Sequence, residues 1–253
     1  MDSIRNKDWF ENDTFWEQYA PVMFDPARWA EAPGVAAAIN KIAGLNSKSK
    51  VLDAGCGPGR VAVEIALLGC QVTGVDLVQS YLDAADESAR DEGVKIDFVK
   101  ADLRDFVRPD TFDTALSLYT SFGYCKSREE DLHILKNINA SLKKDGWFIM
   151  ECLSKEIAVK NFISGEWFER NGLTVLTDYS VEGAWEGLVN KWTIIKPDGT
   201  RIDHTFVQRL YAATEFRELL FSAGFSSVEI YGDFEFSPFN ENAVSCVLIC
   251  RKG

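Results

Sequence analysis

The segment Val51-Leu52-Asp53-Ala54-Gly55-Cys56-Gly57-Pro58-Gly59-Arg60 constrains the fold more than any other part of this chain. A short apolar run ends in an aspartate, three glycines on alternate positions follow, and a helix-prone stretch begins. Gly55, Gly57 and Gly59 lack a Cβ, so the backbone can turn tightly and a ligand can approach it closely. The helix start behind them offers unpaired N–H groups. The segment therefore predicts a strand, a tight turn and a helix, with a binding site at the turn.

The rhythm after Lys50 extends that unit. Strands are predicted at Lys50–Ala54, Gln71–Val75, Ile96–Val99, Asp113–Ser117 and Gly146–Cys152. Helices are predicted between them at Gly59–Leu68, Gln79–Glu92 and Ser127–Leu142. This alternation is the pattern of a parallel sheet with helices on both faces. The first 45 residues read as helical and aromatic, with a helix over Gly34–Ala43 whose first turn would hold Pro33. After Cys152 the rhythm breaks. Residues 155–170 read as partly helical. Leu173 to Val181, Trp185 to Lys196 and Ile202 to Leu210 read as antiparallel strands, with a turn at Pro197-Asp198-Gly199. A helix at Thr214–Ala223 and strands at Ser227–Phe234 and Ala243–Arg251 resume the core pattern. The division expected is an N-terminal helical lid over 1–45, a Rossmann-like core over 46–153 and 212–253, and an antiparallel insertion over 154–211 that roofs a substrate.

Composition narrows the function classes. The chain of 253 residues carries a formal net charge of −12, which speaks against a phosphate-binding face for nucleic acid. No run of about 20 apolar residues predicts a membrane span. The stretch Met1 to Phe10 lacks a basic region followed by an apolar run, so a cytoplasmic location is expected. The cysteines Cys56, Cys70, Cys125, Cys152, Cys246 and Cys250 form no CxxC pair, and His133 and His204 form no HxH pattern, so no metal site is expected.

Two acidic positions follow the glycine turn. Asp76 ends the second predicted strand, near the spacing of about 20 residues at which a carboxylate meets a ribose diol. Asp102, with Leu103, follows the third strand, where a carboxylate can accept from an adenine amine and a backbone N–H can meet a ring nitrogen. The set Asp53-Ala54-Gly55-Cys56-Gly57-Pro58-Gly59, Asp76, Asp102 and Phe112-Asp113-Thr114-Ala115-Leu116-Ser117 resembles class I S-adenosylmethionine-dependent methyltransferases. The resemblance covers residues 48–153 and, more loosely, 212–252. A GxGxG turn after an aspartate also differs from the GxGxxG of nicotinamide-binding proteins. Thr120-Ser121-Phe122-Gly123-Tyr124, Arg209-Leu210-Tyr211 and Tyr231-Gly232-Asp233-Phe234 are similar to stretches of bacterial small-molecule enzymes, including amino-sugar N-methyltransferases.

The resemblance implies a seven-stranded sheet and S-adenosylmethionine as cofactor, with S-adenosylhomocysteine as product. It implies that Asp53, Gly55, Cys56, Gly57 and Gly59 hold the methionine end, and Asp76 with Leu77 the ribose. Asp102 and Leu103 would hold the adenine, and Leu118 and Tyr119 would line the pocket. Tyr19 and Arg28 of the lid would reach the donor carboxylate. His204 and Tyr124 are the candidate bases, and Glu151 and Glu166 are candidates to bind an amine. The acceptor expected is a small molecule, methylated on nitrogen or oxygen. The other readings open to this sequence are a methyltransferase of protein or RNA, and a non-catalytic sensor of the donor. The insertion would permit a homodimer through an exposed sheet edge.

Overall fold

A computed structural model describes residues 8–24 and 26–253. The first seven residues of the expected lid lie outside the described residues. A 3-10 turn, Trp9–Glu11, leads into α1 (Asp13–Met23) and α2 (Pro26–Ala43). The central region runs β1 (Lys50–Ala54), α3 (Arg60–Leu67), β2 (Gln71–Asp76), α4 (Gln79–Asp91), β3 (Ile96–Lys100), β4 (Phe112–Ser117), α5 (Arg128–Ser141) and β5 (Leu142–Cys152). Then come α6 (Lys155–Lys160), β6 (Gly165–Arg170), β7 (Leu173–Glu182), β8 (Gly187–Ile195) and β9 (Arg201–Arg209). α7 (Ala213–Ser222), β10 (Phe225–Tyr231) and β11 (Cys246–Lys252) close the chain.

The main sheet has seven strands in the order β10-β11-β5-β4-β1-β2-β3. Strands β1 to β5 pair parallel, and β11 runs antiparallel to both β5 and β10. Strand residues alternate between two buried faces, as the two-residue period requires. Leu52, Ala115, Phe148 and Met150 pack with α5 and α7, while Val51, Leu116 and Ile149 pack with α2 and α3. Sequence order reverses between β1 and β4, and ligands bind in open α/β sheets at the crevice this creates outside the carboxyl ends of the strands.

The second sheet is antiparallel, in the order β6-β7-β8-β9. Val175 and Ile194 on one face bury Phe15, Tyr19 and Val22 of α1. The sheet and the N-terminal helix thus form one roof with its own apolar cluster.

Four expectations change. α2 begins at Pro26, not near Gly34, and Pro33 lies inside it. Pro33 is exposed, so water can serve the carbonyl that loses its helical partner. Residues 165–170 are a strand, because Trp167 and Phe168 pair with Leu176 and Val175 of β7. Trp185 sits in the turn before β8 at φ +65°, not in the strand. The last two strands are Phe225–Tyr231 and Cys246–Lys252, shifted from the expected bounds by the loop between them.

Candidate active site

A cavity of about 530 Å³ opens at the carboxyl ends of β1, β2 and β4. Its floor is the glycine turn. Gly55 adopts φ +80°, and a Cβ there would lie 2.7 Å from the Ser121 Cβ. Gly59 also adopts φ +80°, and a Cβ would lie 2.8 Å from the Ala85 Cβ. Both positions therefore need glycine twice over, for backbone conformation and for space. Ser121 seals the turn by donating from Oγ to the carbonyls of Leu118 (2.9 Å) and Gly55 (3.3 Å).

Asp76 holds the turn from the next strand. Its Oδ2 accepts from the Gly57 N–H (2.8 Å) and its Oδ1 from the Val78 N–H (2.9 Å). Each carboxylate oxygen keeps a lone pair for a further donor. Asp53 is buried at the floor, and burial pushes its carboxyl up to about 7, with the neighbouring Asp76 charge adding and Arg60 opposing. A cation placed here would favour the ionised form. Arg60, the first residue of α3, is buried against the Tyr119 ring (4.1 Å) and donates to the Arg28 carbonyl (2.5 Å).

Asp102 also lines the cavity, but its carboxylate is shared. Its Oδ1 accepts from the Arg104 N–H (2.7 Å), and its Oδ2 accepts from the Arg104 guanidinium at 2.9 and 2.6 Å. Arg104 is buried and also bonds Asp8 (2.8 Å) and Glu11. Those carboxylates hold Arg104 charged against the opposing effect of burial. Lys126 joins Asp8 from outside at 2.7 Å. Sequence reasoning missed this arginine; its signal was the short Asp102-Leu103-Arg104 spacing, in which an aspartate can bond the backbone two residues on.

Most expected residues converge. Asp53, Gly55, Cys56, Gly57, Asp76, Leu77, Asp102, Leu103, Leu118, Tyr119, Arg28 and Tyr124 all line the cavity. Gly59 stands behind the floor as the N-cap of α3. Tyr119 (φ +52°) and Thr120 (φ +63°) hold a left-handed backbone at the end of β4, the kind of local strain that clusters at binding sites.

Tyr19, His204 and Glu166 are not among the residues that line the cavity. Tyr19 stacks on Phe15 (4.6 Å) inside the roof, and its hydroxyl lies near Asp203 and Tyr179 rather than near the donor end. His204 pairs through Nε2 with Gln18 Oε1 (3.0 Å) and packs on the Phe15 and Tyr19 rings. Burial lowers its proton affinity, and it is not among the residues that line the cavity. Glu166 is exposed on β6 and His133 is exposed on α5. Tyr124 does line the cavity, but burial first and the Glu151 charge second push its phenol up, which favours the protonated form. The roof adds Phe10, Trp16, Phe168 and Trp192, aromatics of the kind expected to close over the strand ends, together with Met23 and Phe24, which the sequence left unplaced.

Among the described residues no group of histidines, cysteines and carboxylates could hold a metal ion, and no helix is long and apolar enough to cross a membrane. The residues do fit a nucleoside sulfonium. The sheet supplies acceptors at successive strand ends, the turn has no room for a Cβ at Gly55 or Gly59, and the buried Asp53 carboxyl lies beside it.

A seven-stranded sheet of this order, with a GxGxG turn and acidic residues at the next two strand ends, is the fold that the resemblance to S-adenosylmethionine-dependent methyltransferases implied. Residues 51–146 match the family described as Methyltransferase domain, and the chain is an enzyme of that kind. It is similar to the protein named as methyltransferase YqeM of Bacillus subtilis, 25% identical over 197 residues that cover 76% of this chain and 79% of that protein. Its fold is similar to the CcbJ methyltransferase of Streptomyces caelestis, with a TM-score of 0.81 at 18% identity over 98% of this chain and 100% of that one. It is also similar to CalS10 of Micromonospora echinaspora, an amino pentose methyltransferase solved with S-adenosylmethionine bound, with a TM-score of 0.68 at 17% identity over the full length of both chains.

Proposed function

We propose that this enzyme methylates a small-molecule acceptor inside the roofed cavity. The observation that carries the reading is the enclosure itself. α1 and the antiparallel sheet cover the carboxyl ends of the strands, so the space beyond the donor floor suits a small ligand better than a protein or nucleic-acid surface. The acidic net charge and the amino pentose specificity named for CalS10 support it.

Bound S-adenosylmethionine supplies the electrophilic methyl and the leaving sulfur. The chain's residues bind, align and exclude water. Asp76 accepts the ribose hydroxyls, while Asp102 and the Leu103 backbone meet the adenine. Asp53 lies beneath the cationic end, and Arg28 or Arg60 pairs with the donor carboxylate. Trp16, Met23 and Phe24 close over the donor from the N-terminal side. Work in the cytoplasm, and a homodimer formed along a free edge of the second sheet, belong to the same reading.

Isothermal titration tests it. S-adenosylmethionine and S-adenosylhomocysteine bind at micromolar concentration, and NADH does not. Absence of binding by both donor and product removes the reading. Donor binding without turnover of any added metabolite supports the sensor instead.

A further inference from the structure

Three carboxylates of the cavity stand at or just after the ends of the first three strands. Glu151 does not. It lies near the end of β5, three strands from Asp76 in the sheet order, about 14 Å at the usual strand spacing. It therefore faces a different part of the cavity from the ribose and adenine positions.

Glu151 is half-buried and held in place. Its Oε1 accepts from the Ser245 hydroxyl, and the Tyr119 and Thr120 N–H groups approach the same carboxylate. These partners are neutral. Burial pushes the carboxyl up and outweighs the opposing field of the Arg28 cation. Tyr124 shares the space, since the Glu151 charge acts on its phenol. Phe168 and Trp192 of the second sheet complete the walls. The Trp192 ring N–H has no hydrogen-bond partner. One carboxylate among aromatic faces favours an organic cation, through charge pairing and through the rings. An alcohol of the same shape gains neither.

We propose that Glu151 reads the acceptor and that the acceptor is an amine, bound as its ammonium beside Tyr124 and Trp192. The proposal rests on the methyltransferase reading above. The ammonium gives one proton to the Glu151 carboxylate. The freed nitrogen lone pair forms the N–C bond to the donor's methyl group. The C–S bond breaks, and its electron pair stays on sulfur. The methylated amine keeps one positive charge, and Glu151 passes its proton to water.

The test uses the whole protein saturated with S-adenosylhomocysteine and titrated with benzylamine and with benzyl alcohol. Fluorescence of the cavity residues Trp16 and Trp192 reads occupancy. The amine binds at least about tenfold more tightly than the alcohol. Glu151→Gln loses that preference. Ser245→Ala disturbs the same contact but leaves the charge, and keeps it. Equal affinity for amine and alcohol, no binding of either, or a preference that survives Glu151→Gln overturns the proposal. Calorimetry with S-adenosylhomocysteine on each protein separates the two readings. Unchanged product affinity alongside a lost amine preference supports the role of Glu151. A tenfold loss of product affinity in Glu151→Gln assigns the residue to the donor and overturns it. No product binding by the unmodified protein takes down the methyltransferase reading, and this proposal with it.

Discussion

The Arg104 guanidinium donates to the Asp8 carboxylate at 2.8 Å, joining two buried side chains that lie 96 residues apart in sequence. The same guanidinium holds Glu11 and Asp102. One cation therefore ties the N-terminal segment to the loop that follows β3, at the wall of the cavity. Removing it leaves three carboxylates facing one another. Arg104→Met is expected to cost about 3 kcal/mol of unfolding free energy, the scale for breaking a buried pair. It should also weaken donor binding, because Asp102 loses its orientation. Urea unfolding and donor calorimetry on the same variant check both; a variant with wild-type values in each would show that the network is ornamental.

Asp53 sets a pH dependence. Burial raises its carboxyl from the ordinary 3.8 to about 7. A group raised in this way stabilises the fold at pH below its unfolded value. That stability is lost as the pH climbs through about 7, where the buried group must ionise. A cationic donor favours the ionised form, so donor affinity is expected to rise between about pH 6 and pH 8, with proton release on binding. Titrations in phosphate and in Tris measure the released protons. Asp53→Asn should flatten the profile.

Asp76 carries two loads. Its carboxylate holds the Gly57 and Val78 N–H groups and lines the cavity where the ribose is proposed to sit. Asp76→Ala is expected to lower donor affinity by about 2–3 kcal/mol, roughly a hundredfold, since buried N–H groups lose a charged partner as well. Donor affinity unchanged by this substitution refutes the ribose assignment.

Gly55 leaves no room for a methyl group. Gly55→Ala places a Cβ within 2.7 Å of the Ser121 Cβ while forcing a left-handed residue. A loss of about 1–3 kcal/mol in stability is expected. Pairing it with Ser121→Gly relieves the clash but not the backbone, so thermal unfolding of the double variant should recover only part of the loss.

His204 is expected to be silent in the chemistry. It bonds Gln18 within the roof and lies off the cavity. His204→Ala should leave the pH profile of methyl transfer unchanged while lowering the melting temperature through lost ring packing. A shifted profile would return it to the reaction.

Local chemistry made much of this protein legible. The two-residue and helical periods placed the parallel strands and their helices, because burial on both faces leaves continuous apolar runs. The glycine turn and the aspartates at successive strand ends marked the floor of the cavity, because each lies within a few residues of its own strand end. The roof was harder to read. β6 looked helical because its pairing with β7 is made across the sheet and not within the segment. Pro33 looked like a helix start because exposure to water, which excuses its missing bond, is a tertiary property.

What the sequence by itself determined is the class of fold, the cofactor and the residues at the floor of the cavity, all of which follow from short-range patterns. Tertiary structure alone decided which distant side chains share a space. It turned Tyr19 and His204 into packing residues, brought Arg104 onto Asp8, Glu11 and Asp102, and set Glu151 apart from Asp53, Asp76 and Asp102. The reason is physical: burial, charge pairing and the competition for one cavity depend on contacts between segments that no spacing along the chain encodes.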